Sequence, residues 1–554
     1  MALHATLRRN SLKSIALKHH RILFLLLLCG LLFRISGVFW GIPPFDAGFF
    51  HPDEPKLIVG AYNFPQDIAE RTDLRYPTAY HYIIGLMTWP IKKMIQSVNL
   101  EMNAYITVYL LGRLLSVILG VASIALLYMF VESISDKRHA IVSSAVLCFS
   151  LYHVTNSAWA TTDVATSFWF IAYLLFAVKA IKVDSTKFAL ASGVSLGFLV
   201  GTKYTGAIAV IPFLIALFLQ HAKSEHEGIL GLLRSIVSDQ KLWIVGASSM
   251  FVFMLSTPGI LLQTEAFLSS IVFEQDRMSR YKQSLLHISS WRTIYFSLVR
   301  AIGLPLTMAA LIGLVLSIYR KKQFEIILAT MVILYVLYFG NALFPRYWIM
   351  MSPLLAYFSS ISLLVFVGHK NQFLHKLSVA VCLVVLLYAC LLSGVAVLSR
   401  YPDTRSVATN FLNQNIAKNK SVGIAYTSEQ YGWRTHAWRY PVVDDAKYRY
   451  VDFLNRPDVI IVSSYDRDPI LKALKSPLIC DRLIIPDDKV SDWYRESPPN
   501  KAILELFQEL YMSDNKEYEM LHQVIPKRQL APIEFGPPTI DIFAKRSVSA
   551  VFSD

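Results

Sequence analysis

Charge is scarce in this sequence. Only 17% of its 554 residues are Asp, Glu, Lys or Arg, where soluble domains carry about a quarter. With 54% hydrophobic residues and a mean hydropathy of +0.44, the composition is that of a membrane protein. Cysteine is scarcer still. Cys29, Cys148, Cys382, Cys390 and Cys480 include no pair with CxxC or other metal-ligand spacing, so neither a disulfide framework nor a zinc site is supported. Acids are missing from the first 21 residues, which carry Arg8, Arg9, Lys13, Lys18 and Arg21. Internal repeats and low-complexity tracts are absent. The net charge of +14 gathers at the ends of apolar segments, so it reads as topology signal and not as a nucleic-acid surface.

Long apolar runs are what the chain has instead. About twenty helical residues cross the hydrocarbon of a bilayer. On that measure spans are expected near 21–40, 106–131, 140–158, 164–181, 187–202, 204–220, 242–262, 294–318, 325–343, 347–367 and 377–398. The basic residues 1–20 place the N-terminus in the cytoplasm. Lys137 with Arg138, Lys179 to Lys187, Arg320 to Lys322, and Lys370 with Lys376 then fall on the same side. Eleven spans leave the C-terminus outside. The outer segment 42–105 is apolar on one side and interrupted by charge, which suits helices lying along the membrane surface.

Beyond Ser399 charges become frequent. "SVGIAY", "PDVIIVSS" and "TIDIFAK" read as short buried strands, and "TRSVATNFLNQNIA" and "KAILELFQELY" as helices. The expected architecture is an α-helical polytopic membrane domain over 21–398, followed by an extracytoplasmic α/β domain over 399–554.

With that topology, costly residues collect at the outer face. Asp53 and Glu54 lie in the first outer loop, in "FFHPDEPKLIVGAYNF". Asp163 stands in "WATTDVATSFWF", Lys203 in "GTKYTG", and Arg346 in "FPRYW". Glu274, Arg277 and Arg280 lie in "FEQDRMSRYK". Each alone has a bland reading: Asp53 suits the N-cap of a helix with Pro55 in its first turn. Together, acids and bases at one membrane face suit transfer from a lipid-linked phosphate. Cations hold the phosphate and stabilise the leaving oxygen, while a carboxylate takes the acceptor's proton. Arg34, near the outer end of the first span, is expected to snorkel. Arg113, in "LLGRLLSVILG", is expected to pair with an acid of the first loop or to bind phosphate.

These segments resemble membrane glycosyltransferases of the GT-C fold. The similarity is to the protein O-mannosyltransferase and aminoarabinose-transferase group, glycosyltransferase family 39 and its bacterial relatives. "FHPDEPKLIVGAYNF", "RYPTAYHYIIG", "LLGRLLSVILGVASIALLY", "TTDVATSFWFIAYLLF", "SLGFLVGTKYTGAIAVIPFL" and "FPRYWIMMSPLL" recur in family order over about residues 20–365. The resemblance implies transfer of a sugar from a polyprenyl-phosphate donor to a glycan, lipid or protein acceptor, with inversion, at a bacterial inner membrane. It makes Asp53 the candidate base, with Glu54 and Asp163 beside it. Lys203, Arg346 and Arg113 become candidates for the donor phosphate. Glu274, Arg277 and Arg280 would belong to a loop closing over substrate. No cofactor is implied, although Asp53 and Asp163 could share a divalent cation. The tail lacks the β-trefoil pattern of eukaryotic protein mannosyltransferases, and no "WWDYG"-like acceptor motif is present. A transporter or flippase is the rival reading, and it would favour paired halves with broken helices.

Overall fold

The computed structural model describes residues 2–42, 50–51, 53–98, 100–222, 228–281, 287–340, 344–417, 420–424, 449–474, 501–513, 517–526 and 538–549. They form two units, Met1–Val38 with Lys56–Gly394, and Phe39–Pro55 with Val395–Asp554. Sequence reading assigns all of 42–105 to the membrane domain, whereas the segment before Lys56 packs with the C-terminal residues.

In the first unit, helix Trp348–Leu363 is buried at every residue but Ser362. It is apolar all round, as a helix enclosed by others must be. Its serines cost little, because Ser352, Ser359 and Ser360 donate to the carbonyls of Ile349, Leu355 and Tyr357 in their own helix. Around it pack helices Leu304–Arg320, Lys137–Cys148 and Thr162–Lys182.

Helix Thr186–Thr202 runs antiparallel to Thr162–Lys182, with Trp169 stacked on Phe198 at 4.6 Å and Phe176 on Phe188 at 6.4 Å. It runs parallel to helix Gln240–Ser256. There Gly193, Gly197 and Gly201, four residues apart on one face, meet Ser248, Ser249 and Ser256. A Cβ at Gly197 would lie 2.6 Å from the Ser249 carbonyl oxygen, so close approach of the two backbones requires glycine.

Among the described residues, four helices are long and apolar enough to cross a membrane: Asn103–Ile134, Thr162–Lys182, Tyr204–His221 and Gln372–Leu398. Shorter apolar helices are Thr186–Thr202, Gly228–Val237, Gln240–Ser256 and Gln323–Phe339. The expected spans 294–318 and 140–158 are among those that are not continuous. Residues 294–318 divide into Ile288–Ile302 and Leu304–Arg320, bent by 116° at Gly303, whose φ of 87° favours glycine. Residues 140–158 divide into Lys137–Cys148 and Leu151–Asn156.

The second break explains a correction. Arg34 does not snorkel; it is fully buried and donates to the carbonyls of Leu147 and Cys148 at the end of the broken helix, and to Gly30. His153 Nδ1 lies 3.0 Å from the same guanidinium. Carbonyls freed by the break need donors, and a guanidinium at the negative end of a helix supplies them.

The second unit holds a five-stranded sheet: β1 Ser421–Ile424, β2 Arg449–Tyr450, β3 Val459–Ser463, β4 Tyr518–Val524 and β5 Ile540–Lys545, in the order β2-β1-β3-β5-β4. Strands β2, β1 and β3 are parallel, and β5 is antiparallel to both neighbours. Alternate residues serve opposite faces. Ile461, Ile540 and Ile542 pack with Ala408 and Leu412 of helix Thr404–Asn415. Ile460, Val462 and Phe543 pack with Ile470 of helix Ser464–Leu474 and with Leu506, Phe507 and Leu510 of helix Lys501–Met512.

A buried clasp binds the two pieces of this unit. Asp403 caps helix Thr404–Asn415 through the Arg405 N–H at 2.8 Å. Its carboxylate also accepts from Arg405 Nε and Nη2 at 2.8 and 2.7 Å and from Trp40 Nε1 at 3.0 Å. The Arg405 guanidinium lies 3.5 Å from the centre of the Phe50 ring.

Candidate active site

Asp163 stands in the first turn of helix Thr162–Lys182, where the helix dipole favours a carboxylate. Lys203 caps the other end of the antiparallel neighbour Thr186–Thr202. Its extended backbone, φ −155° and ψ 122°, turns the chain into the 3-10 segment Tyr204–Ala209. Antiparallel pairing of the helices therefore brings the two together. Lys203 Nζ lies 2.7 Å from Asp163 Oδ1, with Asp163 buried and 20% of the Lys203 side chain exposed.

A third element closes on this pair. The 3-10 turn Pro345–Tyr347 sets the Tyr347 ring 4.6 Å from Lys203 Nζ, and the Arg346 guanidinium 5.9 Å from the centre of the same ring. Tyr335 Oη donates to the Tyr347 carbonyl at 2.8 Å, and Trp348 Nε1 to Ser297 Oγ at 3.1 Å. Asp163, Lys203 and Arg346, separated widely in sequence, thus share one neighbourhood organised by a tyrosine. Sequence reasoning missed Tyr347; its signal is the aromatic next to arginine in "FPRYW".

Tyr204, inside "GTKYTG", extends the site toward the first loop. Its hydroxyl donates to the Leu74 carbonyl at 2.8 Å, and its ring meets Phe267 at 5.8 Å. Ser270 Oγ accepts from the Leu74 N–H at 3.2 Å, tying helix Thr264–Tyr281 to the same loop. Next in sequence, Arg75 chelates Asp73 through Nε at 2.8 Å and Nη2 at 2.5 Å, and packs 5.3 Å from the Phe273 ring. The Arg75 hydrogen bonds hold the Asp73 carboxyl below its ordinary pKa.

Helix Thr264–Tyr281 carries three further expected residues. Glu274 is half-buried, one residue beyond Phe273, while the side chains of Arg277 and Arg280 lie outside the described residues. Arg113 is fully buried in helix Glu101–Ile134. It donates to the Val38 carbonyl at 2.8 Å, and its guanidinium lies 4.7 Å from the centre of the Trp159 ring.

Asp53 and Glu54 belong to the second unit. Asp53 is half-buried and directly precedes helix Glu54–Tyr62, with Pro55 in the first turn. Its backbone N–H donates to His51 Nδ1 at 3.1 Å, fixing the turn into the helix. Glu54, the first helical residue, is fully buried. Among the described residues no group of three His, Cys, Asp or Glu side chains is placed to hold a metal ion.

Residues 108–256, which include Arg113, Asp163 and Lys203, match the family described as dolichyl-phosphate-mannose-protein mannosyltransferase. No curated protein matches the chain. Among solved structures, the Archaeoglobus fulgidus oligosaccharyltransferase in complex with Zn and sulfate is 12% identical. The similarity covers 95% of this chain and 88% of that one, at a TM-score of 0.48. ArnT from Cupriavidus metallidurans is 12% identical over 84% of this chain and 95% of its own, at 0.45. The S. cerevisiae protein O-mannosyltransferase complex bound to the sugar donor is 16% identical over 45% and 34%, at 0.33. All three are distant likenesses. The resemblance to membrane glycosyltransferases of the GT-C fold, read from the motifs, is matched by the family match within the chain.

Proposed function

We propose that this integral membrane protein is a glycosyltransferase that moves a sugar from a polyprenyl-phosphate donor to an acceptor at the extracytoplasmic face. The observation that carries the reading is the Asp163–Lys203 pair, inside the segment that matches the mannosyltransferase family, set against Tyr347 beside Arg346.

The reaction is a single displacement. An acceptor hydroxyl attacks the anomeric carbon opposite the phosphate, the new C–O bond forms as the bond to phosphate oxygen breaks, and the configuration inverts. Asp53 takes the hydroxyl proton. An ordinary Asp has a pKa of about 3.9, so it is ionised at neutral pH and gains effect as the hydroxyl acidifies in the transition state. Polyprenyl phosphate leaves with the electron pair, and Lys203 and Arg346 neutralise the charge that develops on it. Asp163 acts through Lys203, fixing the ammonium so that one side remains for the phosphate. Arg113 supports this face through its bond to Val38 and its packing on Trp159. Glu54 orients Asp53, and the Glu274, Arg277 and Arg280 helix contributes to substrate contact.

The test is donor turnover by the purified chain. Polyprenyl-phosphate sugars and a membrane extract as acceptor source are supplied, and mass spectrometry follows free polyprenyl phosphate and new glycosylated product. Turnover that vanishes in Asp53→Asn supports the reading and identifies the donor. Equal turnover in both removes Asp53 from the mechanism. Folded protein that turns over no donor overturns the transferase.

A further inference from the structure

Helix Gly228–Val237 has no buried residue, yet six of its ten residues are Ile, Leu or Val. Ile229, Leu230, Leu233 and Val237 are exposed by 74%, 77%, 50% and 53%. At 100° per residue these four fall on one face, while Arg234, Ser235 and Ser238 follow on the other side. Such a stripe left in water would be costly, and none of the described residues of its own unit buries it.

Its position says what does. The chain enters this helix after Tyr204–His221 and leaves it into Gln240–Ser256, both apolar. At the start of the latter, Lys241 bonds Asp184 and lies 3.2 Å from Asp239, and His221 lies 3.0 Å from Asp239. Asp184 stands two residues before helix Thr186–Thr202, and Lys203 immediately follows it. The charged knot is therefore one helix length, roughly 25 Å, from the Asp163–Lys203 pair. That separation is close to the thickness of a bilayer's hydrocarbon core. Helix Gly228–Val237 stands at the boundary opposite the candidate active site. Both neighbouring helices also expose large apolar residues, Phe218 at 45% and Trp243 at 62%. Trp243 Nε1 donates to the Val237 carbonyl at 2.7 Å, capping the helix with a side chain suited to the headgroup level.

We infer that helix Gly228–Val237 is a lipid-binding element that lies in the membrane–water interface at the face opposite Asp163 and Lys203, with Ile229, Leu230, Leu233 and Val237 in the acyl region. The occupant is the lipid surface itself. The helix carries a single charge, Arg234, so attachment comes from apolar area and does not need anionic headgroups. The inference stands on the membrane location of the chain and is independent of its transferase chemistry.

The full chain in phosphatidylcholine nanodiscs tests it. The discs contain phosphatidylcholine with a diazirine either high on the acyl chain or at its end, and adducts after photolysis are mapped by mass spectrometry. Adducts on residues 229–237 from the shallow probe, retained in high salt, are expected. In Leu230→Glu/Leu233→Glu these adducts should be lost while those on Phe251 and Leu255, exposed on the neighbouring apolar helix Gln240–Ser256, persist. Labelling of Phe251 and Leu255 without labelling of 229–237 overturns the inference. Labelling of 229–237 by the deep probe alone also overturns it, because the segment would then enter the hydrocarbon.

Discussion

Asp163 and Lys203 stand forty residues apart and meet at 2.7 Å because one starts a helix and the other ends its antiparallel neighbour. The ammonium lies at the same time against the Tyr347 ring. A cation held from two sides by fixed groups is oriented before any ligand arrives, which is what preorganised charge stabilisation requires.

Removing the cation should therefore have separable effects on stability and on catalysis. Lys203→Met leaves a buried carboxylate unpaired and is expected to destabilise the protein by about 1–3 kcal/mol. Loss of one preorganised donor should lower turnover by roughly 100-fold or more. The double variant Asp163→Asn/Lys203→Met removes the unpaired charge, so melting temperature should recover while turnover does not. Recovery of both would make the pair purely structural.

Tyr347 should act through its ring and not its hydroxyl. Tyr347→Phe keeps the face presented to Lys203 and Arg346, and donor KM should stay near that of the unsubstituted protein. Tyr347→Leu loses a cation–π contribution of about 0.5–2 kcal/mol, which corresponds to a KM raised by about 2- to 30-fold. Steady-state kinetics with one donor at several concentrations measures both. A Tyr347→Phe variant as impaired as Tyr347→Leu would assign the effect to the hydroxyl.

The sequence is readable where a property is local. Apolar runs announce Thr162–Lys182 and Gln372–Leu398, and β-branched runs announce the strands at Val459–Ser463 and Ile540–Lys545. Strand Tyr518–Val524, with the polar sequence YEMLHQV, carries no such signal and is defined by its pairing with β5. The breaks at Gly303 and after Cys148 are silent too, because hydropathy averages over a bend. Of the site, residue types and outer-loop positions suggested Asp163, Lys203 and Arg346. Tyr347 as their shared surface, and the clasp of Trp40, Asp403 and Arg405, depend on long-range packing that no local pattern encodes.

Two glycines near one helix contact should behave in opposite ways. In Gly197→Ala the new methyl meets the Ser249 carbonyl oxygen at 2.6 Å, and backbone has no room to yield. Overpacking of this kind costs about 1–3 kcal/mol. Gly246, on the partner helix, has nothing within 4 Å of its would-be Cβ, so Gly246→Ala should be neutral or gain up to about 1 kcal/mol from helix propensity. Thermal melts of both variants in one detergent decide the matter. Equal melting temperatures would mean the two helices separate more readily than their packing implies.

Acid should loosen the second unit through Asp458. Burial tends to raise the pKa of its carboxyl. Hydrogen bonds from the Ser421 N–H at 2.8 Å and Ser421 Oγ at 2.7 Å, with the charges of Lys420 and Lys545, outweigh that effect and hold it below the ordinary value. A depressed folded-state pKa contributes stability that is fully present above the unfolded-state value, about 3.9 for Asp, and is lost as pH falls through the folded one. The bond joins the starts of strands β1 and β3, so its loss acts on the parallel part of the sheet. Asp458→Asn lacks the charge at every pH and should melt lower than the unsubstituted protein at pH 7. Between pH 5 and 3 it should lose less further stability, and the two melting curves should converge. Limited proteolysis across the same range, with cleavage sites mapped by mass spectrometry, should place the acid-sensitive opening at strands β1 and β3. Parallel, non-converging losses in the two proteins would remove Asp458 as the acid-sensitive group.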